Sequence, residues 1–146
     1  MQSFLYGLAF LSGLLLTVQV GFNTALRDAF GSPATAALVN FLVGTVGLSA
    51  FVLVTRSGLP TKTQIAGVPA WAWLGGFLGA FYVASSVIVG SRLGAAALLA
   101  LTVFGQLAAS LVVDHYGWLG FPQHTITATR LVGGALLLAG VLLIVR

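Results

Sequence analysis

The chain has 146 residues with six Lys or Arg, two Asp, no Glu and no cysteine. Hydrophobic residues make up 59% of it and charged residues 5%, and the mean hydropathy is +1.10. Apolar runs of this length exclude a soluble core and predict an all-α integral membrane protein with one domain, 1–146. The cations stand singly near the ends of these runs, which excludes a nucleic-acid-binding patch and leaves the lipid bilayer as the expected partner.

The first predicted span is 4–26, followed by Arg27 and Asp28, which we interpret as a surface pair at the headgroups. Gln19 and Asn23 lie four residues apart and share one face of this span. Lipid offers their amides no hydrogen-bond partner. They therefore either line a pocket or join neighbouring helices, and the sequence leaves both interpretations open.

The second predicted span is 33–54. Ser32 and Pro33 form a typical helix start, with the serine as N-cap and the proline in the first helical position. Asn40 adds a third amide inside the membrane, with the same two interpretations as the amides of the first span. Glycine and proline in the loop 55–69 predict that this loop contains no helix.

The third and fourth predicted spans are 71–90 and 94–113. Trp71 and Trp73 at the start of the third span are expected to anchor it at the interface. Tyr82 is a candidate for the space that Gln106 faces, where its ring could stack and its hydroxyl could orient a ligand. The residues 90–94 are predicted to form a tight turn that makes the two spans antiparallel neighbours, with Arg92 at its tip as an interfacial anchor.

The fourth span carries a polar stripe. Thr102, Gln106, Ser110 and Asp114 recur every four residues, so each lies only about 40° further around the helix than the one before. Such a stripe must face protein or water. Thr102, Gln106 and Ser110 of this stripe, together with the first three amides and Tyr82, predict a shared uncharged cavity near the bilayer midplane, suited to a small neutral or weakly charged organic molecule.

The last predicted span is 129–145, after a turn-rich loop that follows Asp114. An enzyme would need Asp114, His115 and His124 to act together, but their spacing matches no metal template, so we expect neither catalysis nor a metal site nor a cofactor. Glycines a heptad apart on the last span predict a seam for a helix of the same chain or of a second copy.

Several motifs occur together in one order and spacing: Gly-Ser-Arg-Leu-Gly-Ala-Ala-Ala at 90–97, Gly105-Gln106-Leu107, Ser110-Leu111, Asp114-His115-Tyr116-Gly117 and Arg130-Leu-Val-Gly-Gly. With the Trp-rich start of the third span and Asn23, they resemble the small five-helix YdcZ-like family of the drug/metabolite transporter superfamily. The resemblance covers nearly the whole chain. It implies a bacterial inner-membrane protein equivalent to one repeat of the ten-helix members, working as a dimer. It implies no particular substrate.

The first span lacks an acid that a related group of transporters carries. The four-helix small multidrug exporters of the same superfamily use a carboxylate in the middle of the first helix to exchange protons for cationic drugs. Here the first span has Gln19 and Asn23 and no acid. Asp114 stands at the end of the fourth span, where we interpret it as a gating residue or interfacial anchor.

The distribution of cations predicts no single orientation. Five spans place Arg56, Lys62 and Arg130 on one face of the membrane, and the other face receives Arg27, Arg92 and Arg146. Because the positive-inside rule gives no instruction at three against three, we expect insertion both ways and an antiparallel homodimer. A parallel dimer or an oppositely oriented paralogue is the alternative.

The resemblance, taken with the polar cavity, implies a secondary transporter that moves a small organic metabolite by alternating access. Two alternatives remain open. One is an exporter of cationic or amphiphilic compounds, and the other is a structural subunit of a larger membrane complex.

Overall fold

The computed structural model describes residues 2–146 and is all-α. Its helices are α1 (Gln2–Phe30), α2 (Pro33–Thr55), α3 (Lys62–Ala66), α4 (Leu74–Tyr116) and α5 (Ala128–Val145), with short 3-10 helices at Ala70–Trp73 and Trp118–Gly120. Among the described residues, four helices are long and apolar enough to cross a membrane: α1, α2, α5, and α4 together with the 3-10 helix that precedes it. The all-α membrane class predicted from composition is confirmed.

The chain divides into two compact units, one ending at Ser91 and the other comprising Arg92–Arg146. In the first unit α1 packs against α2. The buried residues of this unit are mostly small or β-branched: Val20, Asn23, Ala36, Ala37, Val83, Ser86 and Val87. In the second unit α4 approaches α5, and a Cβ placed on Gly134 would lie 3.9 Å from Leu111 Cδ1.

The first two helices begin and end for local reasons. Ser32 has extended backbone and its Oγ accepts from the Thr35 N–H at 3.3 Å, with Pro33 in the first helical position, so this predicted helix start is confirmed. The first helix runs past the predicted end at residue 26, because charged side chains at headgroup depth do not interrupt helical backbone. It ends at Phe30, and the next residue, Gly31, leaves the helical conformation with a φ of +68°.

The prediction of a helix-free loop at 55–69 is wrong. The loop contains α3, which a capping box starts: the Gln64 N–H donates to Thr61 Oγ1 at 3.3 Å, and the Thr61 N–H donates to Gln64 Oε1 at 2.8 Å. Pro60 precedes the N-cap, where it costs the helix no hydrogen bond. The Thr-x-x-Gln pattern is visible in the sequence and outweighs the nearby glycine and proline.

The predicted turn at 90–94 is also different in the structure. Residues 90–93, including Arg92, stay helical, and only Gly94 departs, with φ +81° and ψ 164°. This backbone region is open to glycine and strained for other residues, so a single glycine suffices to interrupt the helix. The third predicted span also starts differently, since Trp71 and Trp73 lie in the 3-10 helix that precedes α4.

The last helix begins at Ala128, one residue before the predicted start. Thr127 is its N-cap, and Thr127 Oγ1 accepts from the Arg130 N–H at 3.3 Å. Arg130 therefore lies in the first turn of α5, a position that fixes where its long side chain can reach.

Candidate functional site

Two of the predicted amides meet in the first unit. Gln19 on α1 donates from Nε2 to Asn40 Oδ1 on α2 at 3.4 Å, across 21 residues of sequence. The distance is beyond the usual range for such a bond, which makes the interaction weak. Amide bonds between membrane helices contribute only about 0.6–2 kcal/mol even when well formed. The pair therefore joins two helices through a contact that a competing donor or acceptor can replace.

A groove of about 350 Å³ opens beside this amide pair. Its walls combine the two amides with apolar side chains and one glycine: Gln19, Asn40, Phe41, Val43, Gly44, Thr45, Leu48 and Val83. Thr45 Oγ1 already donates to the Phe41 carbonyl at 2.8 Å. The amides are thus the groove's principal groups for binding a polar ligand, and the apolar walls suit its hydrocarbon part.

Asn23 is one of two buried polar residues in the described part of the first unit, with 2% of its surface exposed. Its Oδ1 has no hydrogen-bond partner among the described residues. A buried acceptor left unpaired costs about 1–3 kcal/mol. Ser86 is equally buried, but its Oγ donates to the Val83 carbonyl at 2.8 Å. Asn23 alone combines deep burial with an unused acceptor in this part of the chain.

The other predicted cavity residues lie on α4. Tyr82, in the first unit, is half-buried. In the second unit Thr102 is half-buried, while Gln106 and Ser110 are exposed and Ser110 Oγ donates to the Leu107 carbonyl at 2.9 Å. The prediction that these residues share one cavity with the amides of the first unit stays a prediction. So does the anchoring role of Arg92, which is exposed.

The second unit contains a partly buried ion pair. Arg130 Nη1 on α5 lies 3.3 Å from Asp114 Oδ2 on α4, and the two side chains are 37% and 27% exposed. The same Nη1 donates to the His124 carbonyl at 3.3 Å. The pair closes one end of a groove of about 520 Å³ lined by Leu107, Ser110, Leu111, Asp114, Arg130, Gly133, Gly134 and Leu137. Asp114 thus joins the two helices of its unit.

The loop between these helices is tied to the end of α4. The His124 N–H donates to the Asp114 carbonyl at 2.8 Å, and Gln123 Nε2 donates to the His115 carbonyl at 2.9 Å. His115 Nδ1 accepts from the Ile126 N–H at 3.3 Å. Together with the ion pair between Asp114 and Arg130, these bonds connect the loop to α4 and α5, and we call this region the fastening.

Two of the groups that the enzyme alternative would need already have partners in this region. The Asp114 carboxylate contacts arginine, and His115 Nδ1 accepts a backbone N–H. Within residues 2–146, no three His, Cys, Asp or Glu side chains lie together as metal ligands would.

Two residues of this region were missed from sequence. The sequence analysis uses Arg130 only in the motif of the last span and in the count of cations, and it gives no role to Gln123 in the loop after Asp114. A signal for Arg130 existed: the polar stripe ends in an unpaired acid, and Arg130 is the next cation in the sequence after it. The bond from Gln123 to His115 depends on the loop conformation and has no comparable signal.

Comparisons with known proteins show the family to which this chain belongs. The family described as "Putative inner membrane exporter, YdcZ" matches residues 4–143. Inner membrane protein YdcZ of Escherichia coli (strain K12) is 30% identical over 142 residues, covering 95% of this chain and 94% of that protein. No solved structure gives a significant match. These findings confirm the resemblance and the inner-membrane location, and the chain belongs to the YdcZ family of the drug/metabolite transporter superfamily, a family of transporters and not of enzymes.

Proposed function

We propose that this chain is a secondary transporter that moves a small neutral or weakly charged organic molecule by alternating access. The observation that carries the proposal is the amide set of the first unit, in which Gln19 and Asn40 share a weak bond and Asn23 is buried with an unused acceptor. Buried polar groups inside membrane segments are costly and commonly mark a ligand pathway. The description of the family as exporters supports movement out of the cell.

The acids of the chain support an uncharged substrate. The sequence contains only two, and each contacts an arginine: Asp28 pairs with Arg27, and Asp114 pairs with Arg130. A carboxylate that exchanges protons for cations has to be available to both. With neither acid free, cation–proton antiport is the less supported alternative.

We further propose that the chain crosses the membrane five times. At 1.5 Å per residue, the 43 residues of α4 would extend about 65 Å, roughly twice the hydrocarbon thickness. The break at Gly94 leaves about 20 helical residues before it and 22 after it, and each segment is long enough for one crossing.

We propose that two such copies associate in opposite orientations. The cations are divided three against three between the two faces that five crossings define. One copy has few helices with which to enclose a site at the midplane, and the groove beside Gln19 and Asn40 is open. An antiparallel pair recreates the inverted repeat on which many secondary transporters depend.

A transport screen in proteoliposomes tests the substrate proposal. Purified wild-type chain is screened against neutral, cationic and amphiphilic compounds, and Asn40→Leu and Gln19→Leu are compared with Thr17→Val. Thr17 is a matched control, because it is exposed on α1 and its hydroxyl bonds only its own helix. We expect uptake of a neutral compound that both amide variants reduce at least tenfold and the control leaves intact. Preferential transport of cations supports the exporter alternative, and no transport supports the structural subunit.

A reporter fused to the carboxyl terminus tests the orientation. We expect wild-type chain in both orientations, and we expect lysines added to one face to select one orientation and abolish transport. Active wild-type chain found wholly in one orientation, without a partner, would contradict the antiparallel homodimer.

A further inference from the structure

One face of the α4 segment 95–116 reads the same in both chain directions. Taken in order, it consists of an apolar residue, a hydroxyl, an amide, a hydroxyl and an apolar residue: Leu99, Thr102, Gln106, Ser110 and Val113. At 100° per residue, all five lie within about 40° of Gln106 around the helix. Reversing the helix exchanges Thr102 with Ser110 and leaves Gln106 in place. We call this set the palindromic face.

Gln106 is also the midpoint of its segment. The helix resumes after Gly94 and ends at Tyr116, so Gln106 stands about 11 residues from each end. If this segment makes one crossing, as proposed above, Gln106 lies within about 3 Å of the bilayer midplane. A two-fold axis in the membrane plane brings equivalent residues to the same depth only at the midplane.

The side chain of Gln106 requires a partner. It is exposed, and within residues 92–146 it makes no hydrogen bond. An amide left in hydrocarbon costs several kcal/mol. A primary amide offers both donors and an acceptor, so two glutamines facing each other form two reciprocal bonds.

We propose that the palindromic face is the surface through which two copies of this chain meet, with Gln106 of one copy bonded to the partner's Gln106. A two-fold contact requires a self-complementary patch. This face is self-complementary for antiparallel helices, since Thr102 of one copy meets the hydroxyl of the partner's Ser110. The inference rests on the proposed antiparallel homodimer and specifies where its copies touch.

Cysteine cross-linking tests this surface without background, because the chain contains no cysteine. Single variants Thr102→Cys, Gln106→Cys and Ser110→Cys are oxidised in membranes and run on denaturing gels. Ala108→Cys is the matched control, since Ala108 lies about 160° from Gln106 on the same helix. We expect Gln106→Cys to shift from monomer to dimer mass. We expect differently tagged Thr102→Cys and Ser110→Cys to form a mixed dimer when expressed together, and neither to form a dimer alone.

Other outcomes separate this inference from the proposed function. Dimers of Thr102→Cys alone and Ser110→Cys alone would indicate a parallel pair, which overturns both the inference and the antiparallel arrangement. An absence of cross-links at all three positions, in membranes that contain the variants and from a preparation in which the wild-type chain transports, would overturn the inference and leave the transport proposal standing. Cross-linking of Ala108→Cys equal to that of Gln106→Cys would also overturn it, because the contact would then not be confined to this face.

Discussion

The polar groups that join helices within each of the two units are paired to different degrees. In the first unit, the amides of Gln19 and Asn40 share one bond of 3.4 Å, and Asn23 keeps an unused acceptor. In the second, the Asp114 carboxylate pairs with Arg130, and the loop that follows is tied to α4 by bonds as short as 2.8 Å. Polar groups that serve mainly to hold a fold are usually well paired. This difference supports the proposal that the first region binds the ligand, while the Asp114 region holds its two helices together.

The largest expected effect on stability comes from Gly94, three residues beyond the end of the first unit. Its φ of +81° with ψ of 164° is available almost only to glycine, so Gly94→Ala should lower the free energy of unfolding by about 1–3 kcal/mol. Gly105→Ala is the matched control. Gly105 is helical, and a Cβ there would meet nothing within 4 Å, so this change should be neutral or stabilising by up to about 1 kcal/mol. Unfolding in detergent measures both, and equal effects would show that the break at Gly94 is not required.

The second-largest effect on stability is expected from loss of the ion pair between Arg130 and Asp114. Arg130→Ala leaves the Asp114 carboxylate partly buried without its partner and removes a donor from the His124 carbonyl, so it should cost about 1–2 kcal/mol. Arg27→Ala is the control, because Arg27 pairs with the adjacent Asp28, which is 62% exposed, and should cost less than about 1 kcal/mol. The same unfolding assay compares them. If Arg27→Ala were the more harmful, the second region would not be the fastening described here.

The smallest expected effect is the coupling between Gln19 and Asn40. A double-mutant cycle with Gln19→Leu and Asn40→Leu should give a coupling energy of about 0.6 kcal/mol, typical of amide bonds between membrane helices. The free energies of unfolding of the wild type, both single variants and the double variant provide it. A coupling above about 2 kcal/mol would make this pair a structural bond and remove the contrast between the two regions.

Much of the fold follows from the sequence, because apolar length and helix signals are local. The start of α2 at Ser32 and Pro33 and the fifth helix near Thr129 were predicted to within one residue. The short helix α3 was missed although its Thr61–Gln64 capping box is readable. The predicted turn at 90–94 is longer than the observed break, because residues 90–93 remain helical and only Gly94 leaves the helical conformation.

The candidate site was predictable in part. Uncharged amides on long apolar helices need hydrogen-bond partners, so composition and spacing are enough to identify Gln19, Asn23 and Asn40 as candidates. The sequence does not reveal which amide finds a partner: Gln19 and Asn40 pair, while Asn23 Oδ1 does not. The pairing of Arg130 with Asp114 likewise depends on the path of the loop between them, which only the tertiary structure fixes.

We propose that Asn23 serves to bind the ligand and does not serve stability. Asn23→Leu separates these two roles, because leucine has the same number and branching of side-chain heavy atoms and removes an acceptor that has no partner. Purified wild type and variant are compared for free energy of unfolding and for uptake, in proteoliposomes, of the compound found in the transport screen. We expect stability unchanged or raised by about 1 kcal/mol and uptake reduced at least tenfold. A variant that loses 2 kcal/mol or more of stability, or one that transports as well as wild type, would contradict the claim.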